Sequence, residues 1–414
     1  MKAVIVGAGI MGLCAGYYLQ QTGWEIIILE KGDLEDNCSY GNAGMIVPSH
    51  FVPLASPGII ARGFRWMLNS KSPFYIKPSF NPDLLKWGLR FIRSANQKHA
   101  DAAGPFLCAL NLYSRQLYEE LSEQPGFNFA LERKGIVMYY KTKKKEAEEI
   151  HLRETAVRLG LDVSILSRQE AQMQEPAVEL DVLGAVHYRS DAHLYPKKLM
   201  QQLRQSLQNG GALFMPHCEV TGMQTGKGRI EKILTSRGDF EGDLVVITGG
   251  AWLPFLGRMA DVHIPLMPGK GYSVTQFLPE KELQIPAILS EAKVAITPMN
   301  GYMRYGGTME IAPVNDRINL NRVKGILDSI PLYFPNLKVP LPAVEDIWYG
   351  FRPCSPDGLP YLGRSKKWKN LIFSGGHAMS GLSLGPASGK IVADLANEKT
   401  TSLPIAIFDP ERFS

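Results

Sequence analysis

A chain of 414 residues is longer than one hydrophobic core usually serves, so two domains are expected. With 45% hydrophobic and 21% charged residues the composition is ordinary globular, and a net charge of +5 spread among intermixed acids and bases leaves no footprint for nucleic acid. No stretch of about 18 consecutive apolar residues is present to span a membrane, and the first apolar run opens a glycine motif instead of a secretory leader.

That first run, Ala3 to Val6, reads as a strand feeding Gly7-Ala8-Gly9-Ile10-Met11-Gly12, which is G-x-G-x-x-G. A helix follows, then a strand over Glu25 to Leu29 ending on Glu30. Strand, glycine turn, helix, strand and acid in this order make a dinucleotide-binding βαβ unit, with the pyrophosphate on the helix N-terminus and the acid on a ribose hydroxyl. The small-residue loop Ser39 to Met45 and a Pro-rich stretch from Pro48 to Pro82 lead out of this unit. Helices are expected over Leu84 to Ile92 and Phe106 to Leu121. In the first, Lys86, Arg90 and Arg93 share one face and Leu85, Leu89 and Ile92 another. This pattern fits a membrane-surface helix or, as the commoner case, a half-buried one.

A strand over Gly135 to Tyr140 and a helix over Glu146 to Leu159 come next, the latter after the basic run Lys141 to Lys145. Beyond Pro196 the pattern returns to the first domain. Lys197 to Gln208 is helical, Ala212 to Thr221 extended, and Leu244 to Ile247 is a continuous apolar run of the buried parallel type ending in Gly249-Gly250. Strand-like segments such as Gly301 to Gly307 follow, and Asn370 to Gly376 is again a strand ending in glycines before a last helix. The expected fold is α/β. A Rossmann-like nucleotide domain (1–50, 190–262, 346–414) is interleaved with an α+β substrate domain (51–189, 263–345) carrying a mixed or antiparallel sheet.

Gly381, Gly385 and Gly389 recur every fourth residue and clear one face of the last helix at a cost of about 1 kcal/mol each against alanine. The spacing fits tight packing on a neighbouring element. It also fits close approach to a flavin whose reduced form is stabilised by the helix's positive end. Taken with Tyr40-Gly41-Asn42-Ala43-Gly44-Met45, Lys270-Gly271-Tyr272-Ser273 and Gly350-Phe351-Arg352-Pro353 before Ser355-Pro356-Asp357-Gly358, the motifs resemble the D-amino-acid oxidase superfamily of FAD enzymes. The likeness is greatest to bacterial FAD-dependent D-amino-acid dehydrogenases and loosest over 60–180. It implies a glutathione-reductase-like FAD domain with contacts at Gly7, Ala8, Gly9, Ile10, Met11, Gly12, Glu30, Lys31, Asn42, Ala43, Gly44 and Met45. Further contacts are implied at Val220, Gly249, Gly250, Trp252, Gly381, Leu382, Ser383 and Leu384. The FAD is expected to be non-covalent, because the cysteine-tethered branch carries its cysteine where this chain has Gly350. Glycine oxidases carry an arginine two residues after the final-loop histidine, where this chain has Met379.

Such chemistry asks mainly for orientation, and the resemblance picks Arg352 as the fork that holds a substrate carboxylate. A domain-bridging salt bridge is its alternative use. Tyr272 and Tyr302 are candidate pocket hydroxyls or aromatic core, and Arg304 is a second carboxylate candidate. Alternation points Arg304 to the face of Tyr302, away from Met303 and Tyr305. His50 and His377 flank the flavin motifs as hydrogen-bonding loop residues.

The function implied is oxidation of a D-amino acid, or a cyclic D-imino acid such as D-proline, with electrons passed to a quinone or other acceptor. An oxygen-using glycine or sarcosine oxidase, a non-catalytic flavin protein and an NAD enzyme are the alternatives. Five cysteines, odd in number and without C-x-x-C, point to a reducing compartment. A cytoplasmic protein, or one peripheral to the inner face of the membrane, is therefore expected. The scattered histidines give no reason to expect a metal.

Overall fold

The computed structural model describes residues 1–61, 63, 71–76 and 81–414. Positions 62, 64–70 and 77–80 of the Pro-rich stretch lie outside the described residues. Two large sheets organise the chain. The first has six strands in the order Tyr361–Arg364, Leu371–Gly375, Leu244–Ile247, Lys2–Val6, Glu25–Leu29, Leu213–Met215, all parallel except the first, an antiparallel edge. Its central strands are apolar throughout because both faces are covered. On one face lie the opening helix Ile10–Gln21, the helix Pro196–Asn209 and the final helix Gly381–Ala396. The other face packs on residues of a small three-stranded sheet, Val220–Gly226, Arg229–Thr235 and Gly238–Phe240, and on the helix Leu253–Met259.

The second sheet is mixed and runs Trp348–Cys354, Met267–Phe277, Tyr302–Ile311, Val294–Pro298, Ala287–Leu289, Ile136–Tyr140, Gly184–Tyr188, Val163–Ser167. Ala287–Leu289 and Ile136–Tyr140 pair in parallel, while the other neighbours on this path are antiparallel. Trp348–Cys354, expected on the nucleotide side, pairs with Met267–Phe277 along its whole length. The chain therefore rejoins the first sheet only at Tyr361. The long helix Gln97–Ser122 likewise belongs with the first core, lying against the final helix.

The final helix shows what its glycines do. A Cβ at Gly385 would come within 2.7 Å of Ile10, and one at Gly389 within 2.5 Å of the Cys14 backbone, so this face seats the opening helix. Of the three glycines only Gly381 faces the cavity described below. The same helix contains Pro386, which cannot donate to the carbonyl of Leu382. Tyr118 compensates, its hydroxyl donating to Leu382 O at 2.6 Å. The final helix is thus seated on the opening helix by backbone contact and tied to the helix Gln97–Ser122 by a replacement hydrogen bond.

The helix expected over 84–92 spans Pro82–Ser94 and buries Trp87 and Phe91, stacked at 5.0 Å between centroids. Leu85, Leu89 and Ile92 are instead 61%, 60% and 55% exposed. The larger aromatic surfaces win the buried side, leaving an apolar face beside Lys86 and Arg93.

Candidate active site

A cavity of about 2060 Å³ runs from the carboxyl ends of the first sheet's strands across the second sheet. At the first-sheet end it meets the glycine turn. Gly7 has φ +110°, and Thr248 Oγ1 lies 2.8 Å from Val6 O and 3.0 Å from Gly7 O, its single proton shared between the two carbonyls, pinning the turn. The opening helix follows Gly9 with no acid in its first turn; Ser39 Oγ accepts from Ile10 N at 3.1 Å, and the helix's positive end faces the cavity. Glu30 lies beside it, with Oε2 accepting from Ala8 N and Oε1 from Gly32 N. Lys31 Nζ sits 3.3 Å over the Trp252 ring, and Val220, Gly249 and Gly250 extend this wall. Gly7, Gly9, Ile10, Met11, Asn42, Ala43, Met45, Gly381 and Leu382 also line the cavity. Ala8, Gly12, Gly44, Ser383 and Leu384 are outside the lining. Ser383 Oγ donates to Asn111 Oδ1 and accepts from Val47 N, which ties the 45–50 segment to the final helix.

At the other end Arg352 enters from the strand Trp348–Cys354. Its Nη1 donates to Thr308 O at 2.6 Å, and among the described residues no carboxylate lies within ion-pair distance. Burial lowers the guanidinium's pKa, so it is a charge with spare donors and no counter-ion of its own. Two features make room for it. Gly271, across the sheet, has no side chain where a Cβ would overlap the guanidinium. Thr308 adopts φ +59° in a bulge where two residues oppose Gly271, an unusual backbone for a β-branched residue. The same Thr308 lines the cavity, and its buried Oγ1 has no partner among the described residues.

A family model described as FAD dependent oxidoreductase matches residues 2–395. The chain belongs to the FAD-dependent oxidoreductase family. It is 28% identical over 407 residues to a D-amino acid dehydrogenase of Helicobacter pylori, covering 97% of each chain. It is 27% identical over 416 residues to a D-amino acid dehydrogenase of Granulibacter bethesdensis, again with 97% of each covered. Among solved structures, glycine oxidase from Geobacillus kaustophilus superimposes with a TM-score of 0.79 at 24% identity, covering 99% of this chain and 98% of that one. L-proline dehydrogenase from P. horikoshii gives 0.75 at 20%, covering 100% and 97%. The protein is accordingly an FAD-dependent oxidoreductase with the fold of these flavoenzymes.

FAD fits the residues present: the positive helix end, with no acid in its first turn, suits its pyrophosphate, and the small-residue walls leave the cavity open along its length. All five cysteines are free thiols, and Cys14, Cys108, Cys218 and Cys354 are buried. Burial pushes the Cys354 thiol up to about 12, far from the thiolate that attachment chemistry requires. Acid precipitation of the flavoenzyme is expected to release all its yellow colour, and flavin retained in the pellet would refute non-covalent binding.

Three sequence candidates take other roles in this flavoenzyme. Arg304 points to the face that alternation assigned, but its Nη1 donates to Tyr40 O and Asn42 O and its Nε to Thr275 Oγ1, so it braces the cofactor loop. Tyr272 is buried and lines the cavity, but its hydroxyl accepts from Asn319 N and is bonded to Glu310 at 3.4 Å. Tyr302 is 44% exposed, lies against Phe277 and is not on the cavity. His377 is buried and bonded to Ser388 Oγ, and burial drives its pKa down to about 3. Met379 stands exposed at the cavity rim. Thr308 carried no sequence signal, since neither its composition nor its spacing marks a bulge.

Proposed function

We propose that the protein oxidises a D-amino acid, or a cyclic D-imino acid such as D-proline, to the imine and passes the electrons to a quinone or similar acceptor. Arg352 carries this reading: a cavity-lining guanidinium without a carboxylate of its own calls for an anionic substrate, and the relatives named D-amino acid dehydrogenase favour an amino acid. FAD, held by the glycine turn and the walls around Glu30 and Gly249, would supply the acceptor for the Cα hydrogen and its electron pair. Arg352 orients the carboxylate, and the bulge at Thr308 holds the arginine in place. An anaerobic screen of D- and L-amino acids, proline derivatives and N-methylglycine, read as bleaching of the flavin band, tests the substrate class. Bleaching by L-enantiomers alone would overturn it.

The acceptor reading rests on the helix Pro82–Ser94. Its first turn, at Asp83, lines the cavity rim, and its apolar face of Leu85, Leu89 and Ile92 stands beside Lys86 and Arg93. Apolar side chains flanked by cations suit an anionic lipid surface, from which a quinone is reached. Co-sedimentation with vesicles containing anionic lipid is expected and should fall sharply in Leu89→Glu. Equal sedimentation of both proteins, or none by the wild type, would reject the membrane contact.

A further inference from the structure

Outside the groups assigned so far, one chain of polar side chains leads from the cavity into the core. Asp191 is fully buried beside the short strand Ala192–His193, and both its oxygens are engaged by one residue. Ser49 N donates to Oδ1 at 3.0 Å and Ser49 Oγ donates to Oδ2 at 2.5 Å. Ser49 Oγ also lies 3.2 Å from His50 Nδ1. A serine hydroxyl has a single proton, and here it is given to the carboxylate, so His50 Nδ1 must carry the hydrogen in the second contact. That fixes the Nδ1–H tautomer and leaves Nε2 with its lone pair. The His50 ring lines the cavity, and Nε2 has no hydrogen-bond partner among the described residues. His50 N donates to Val47 O, and Ile288 and Ala295 of the sheet that carries Arg352 pack on the cluster containing Val47; His50 and Arg352 line the same cavity.

We propose that His50, Ser49 and Asp191 form a proton relay that takes the ammonium proton from the bound substrate, an inference that rests on the amino-acid reading above. An amino acid arrives as a zwitterion, and its nitrogen lone pair must be freed before the Cα hydrogen can leave. In the relay the substrate N–H bond breaks as an Nε2–H bond forms on His50. The Nδ1 proton passes to Ser49 Oγ, and the Ser49 proton passes to Asp191 Oδ2. The substrate ends as a neutral amine, the relay gains that one positive charge and becomes neutral with the proton on Asp191, and no electrons move. Each hydrogen bond of the chain is then reversed but retained, so no partner is lost.

Electrostatics agree with this division of labour. Burial and the nearby Lys293 hold His50 down to about 4, so the ring remains neutral and conducts the proton instead of storing it. Burial pushes Asp191 up to about 7 against the two Ser49 hydrogen bonds and the charge of Arg115 from the helix Gln97–Ser122. The other titratable neighbours, Cys108 and Tyr188, are themselves held neutral by burial. The reservoir is therefore the buried carboxylate at the inner end of the chain.

The test is anaerobic flavin reduction by the best D-amino acid as a function of pH, in the wild-type holoenzyme and in His50→Gln, Ser49→Ala and Asp191→Asn. Between about pH 7, above which Asp191 is ionised and can take the proton, and the ammonium's own pKa, the variants are expected to reduce about a hundredfold more slowly than wild type. Above it, where free amine is supplied from solution, the rates should converge. A loss of equal size at every pH, or no loss, would overturn the relay. Imidazole nitrogen NMR of the resting holoenzyme, with the His50 signals identified by their absence in His50→Gln, gives an independent readout. The wild type should show the Nδ1–H tautomer above pH 7, where Asp191 is ionised, and Ser49→Ala should lose it. An Nε2–H ring in the wild type would also overturn the relay. Failure of any D-amino acid to bleach the wild type would instead overturn the functional reading, while the tautomer still tests the relay's wiring.

Discussion

Arg352→Ala is expected to lower kcat/KM for the best amino-acid substrate by a hundred- to several-thousandfold while leaving the FAD content normal. The guanidinium donates to the backbone carbonyl Thr308 O and among the described residues faces no carboxylate, so on the proposed reading the substrate is its counter-ion. Removing it leaves a desolvated carboxylate unpaired, a loss of about 3 to 5 kcal/mol, which sets the range given. Lysine should restore only part of the rate, because a point charge lacks the two-point fork. Gly271→Ala offers a check that leaves Arg352 itself in the chain: the new Cβ would overlap the guanidinium and push it off its seat. It is expected to raise KM with FAD still bound. Near-normal flavin reduction in Arg352→Ala would assign the carboxylate to another group.

Gly12→Ala is expected to yield colourless, destabilised protein. A Cβ there would overlap the Gly7 carbonyl and stand 2.9 Å from Thr248 Oγ1, the group that pins the turn. Both neighbours are part of the phosphate turn or its brace, so the overlap cannot be relieved by a side-chain rotation. Overpacking of this kind costs about 3 kcal/mol, and any shift that relieves it moves the backbone meant to meet the pyrophosphate. The flavin-to-protein absorbance ratio and the melting temperature report the two effects. Gly88→Ala is the contrast: nothing lies within 4 Å of its Cβ in the helix Pro82–Ser94, so a gain of about 0.5 to 1 kcal/mol is expected. A yellow, stable Gly12→Ala protein would mean that the turn does not carry the cofactor.

Local sequence was sufficient wherever the determining interactions are local. The strand–glycine–helix–strand unit was legible because its turn, helix start and terminal acid lie within 30 residues, and Glu25–Leu29 forms as expected. The glycine-terminated strands Leu244–Ile247 and Leu371–Gly375 were legible because burial on both faces writes a continuous apolar run. Arg352 was singled out by the motif around it. What only the tertiary structure decided is which neighbour each face meets. Periodicity put Arg304 on the correct side of its strand, yet the carbonyls of Tyr40 and Asn42, more than 260 positions away, occupy its donors. Glycines four apart marked a close approach, but that the approaching surface is the opening helix depends on how two ends of the chain meet. The helix Pro82–Ser94 carries apolar residues on more than one side, and the packing gives Trp87 and Phe91 the interior. Ser49 and Asp191 are 142 positions apart, and no pattern in either segment announces the other. A sequence fixes the direction of a side chain through backbone geometry, whereas the partner waiting in that direction is set by long-range packing.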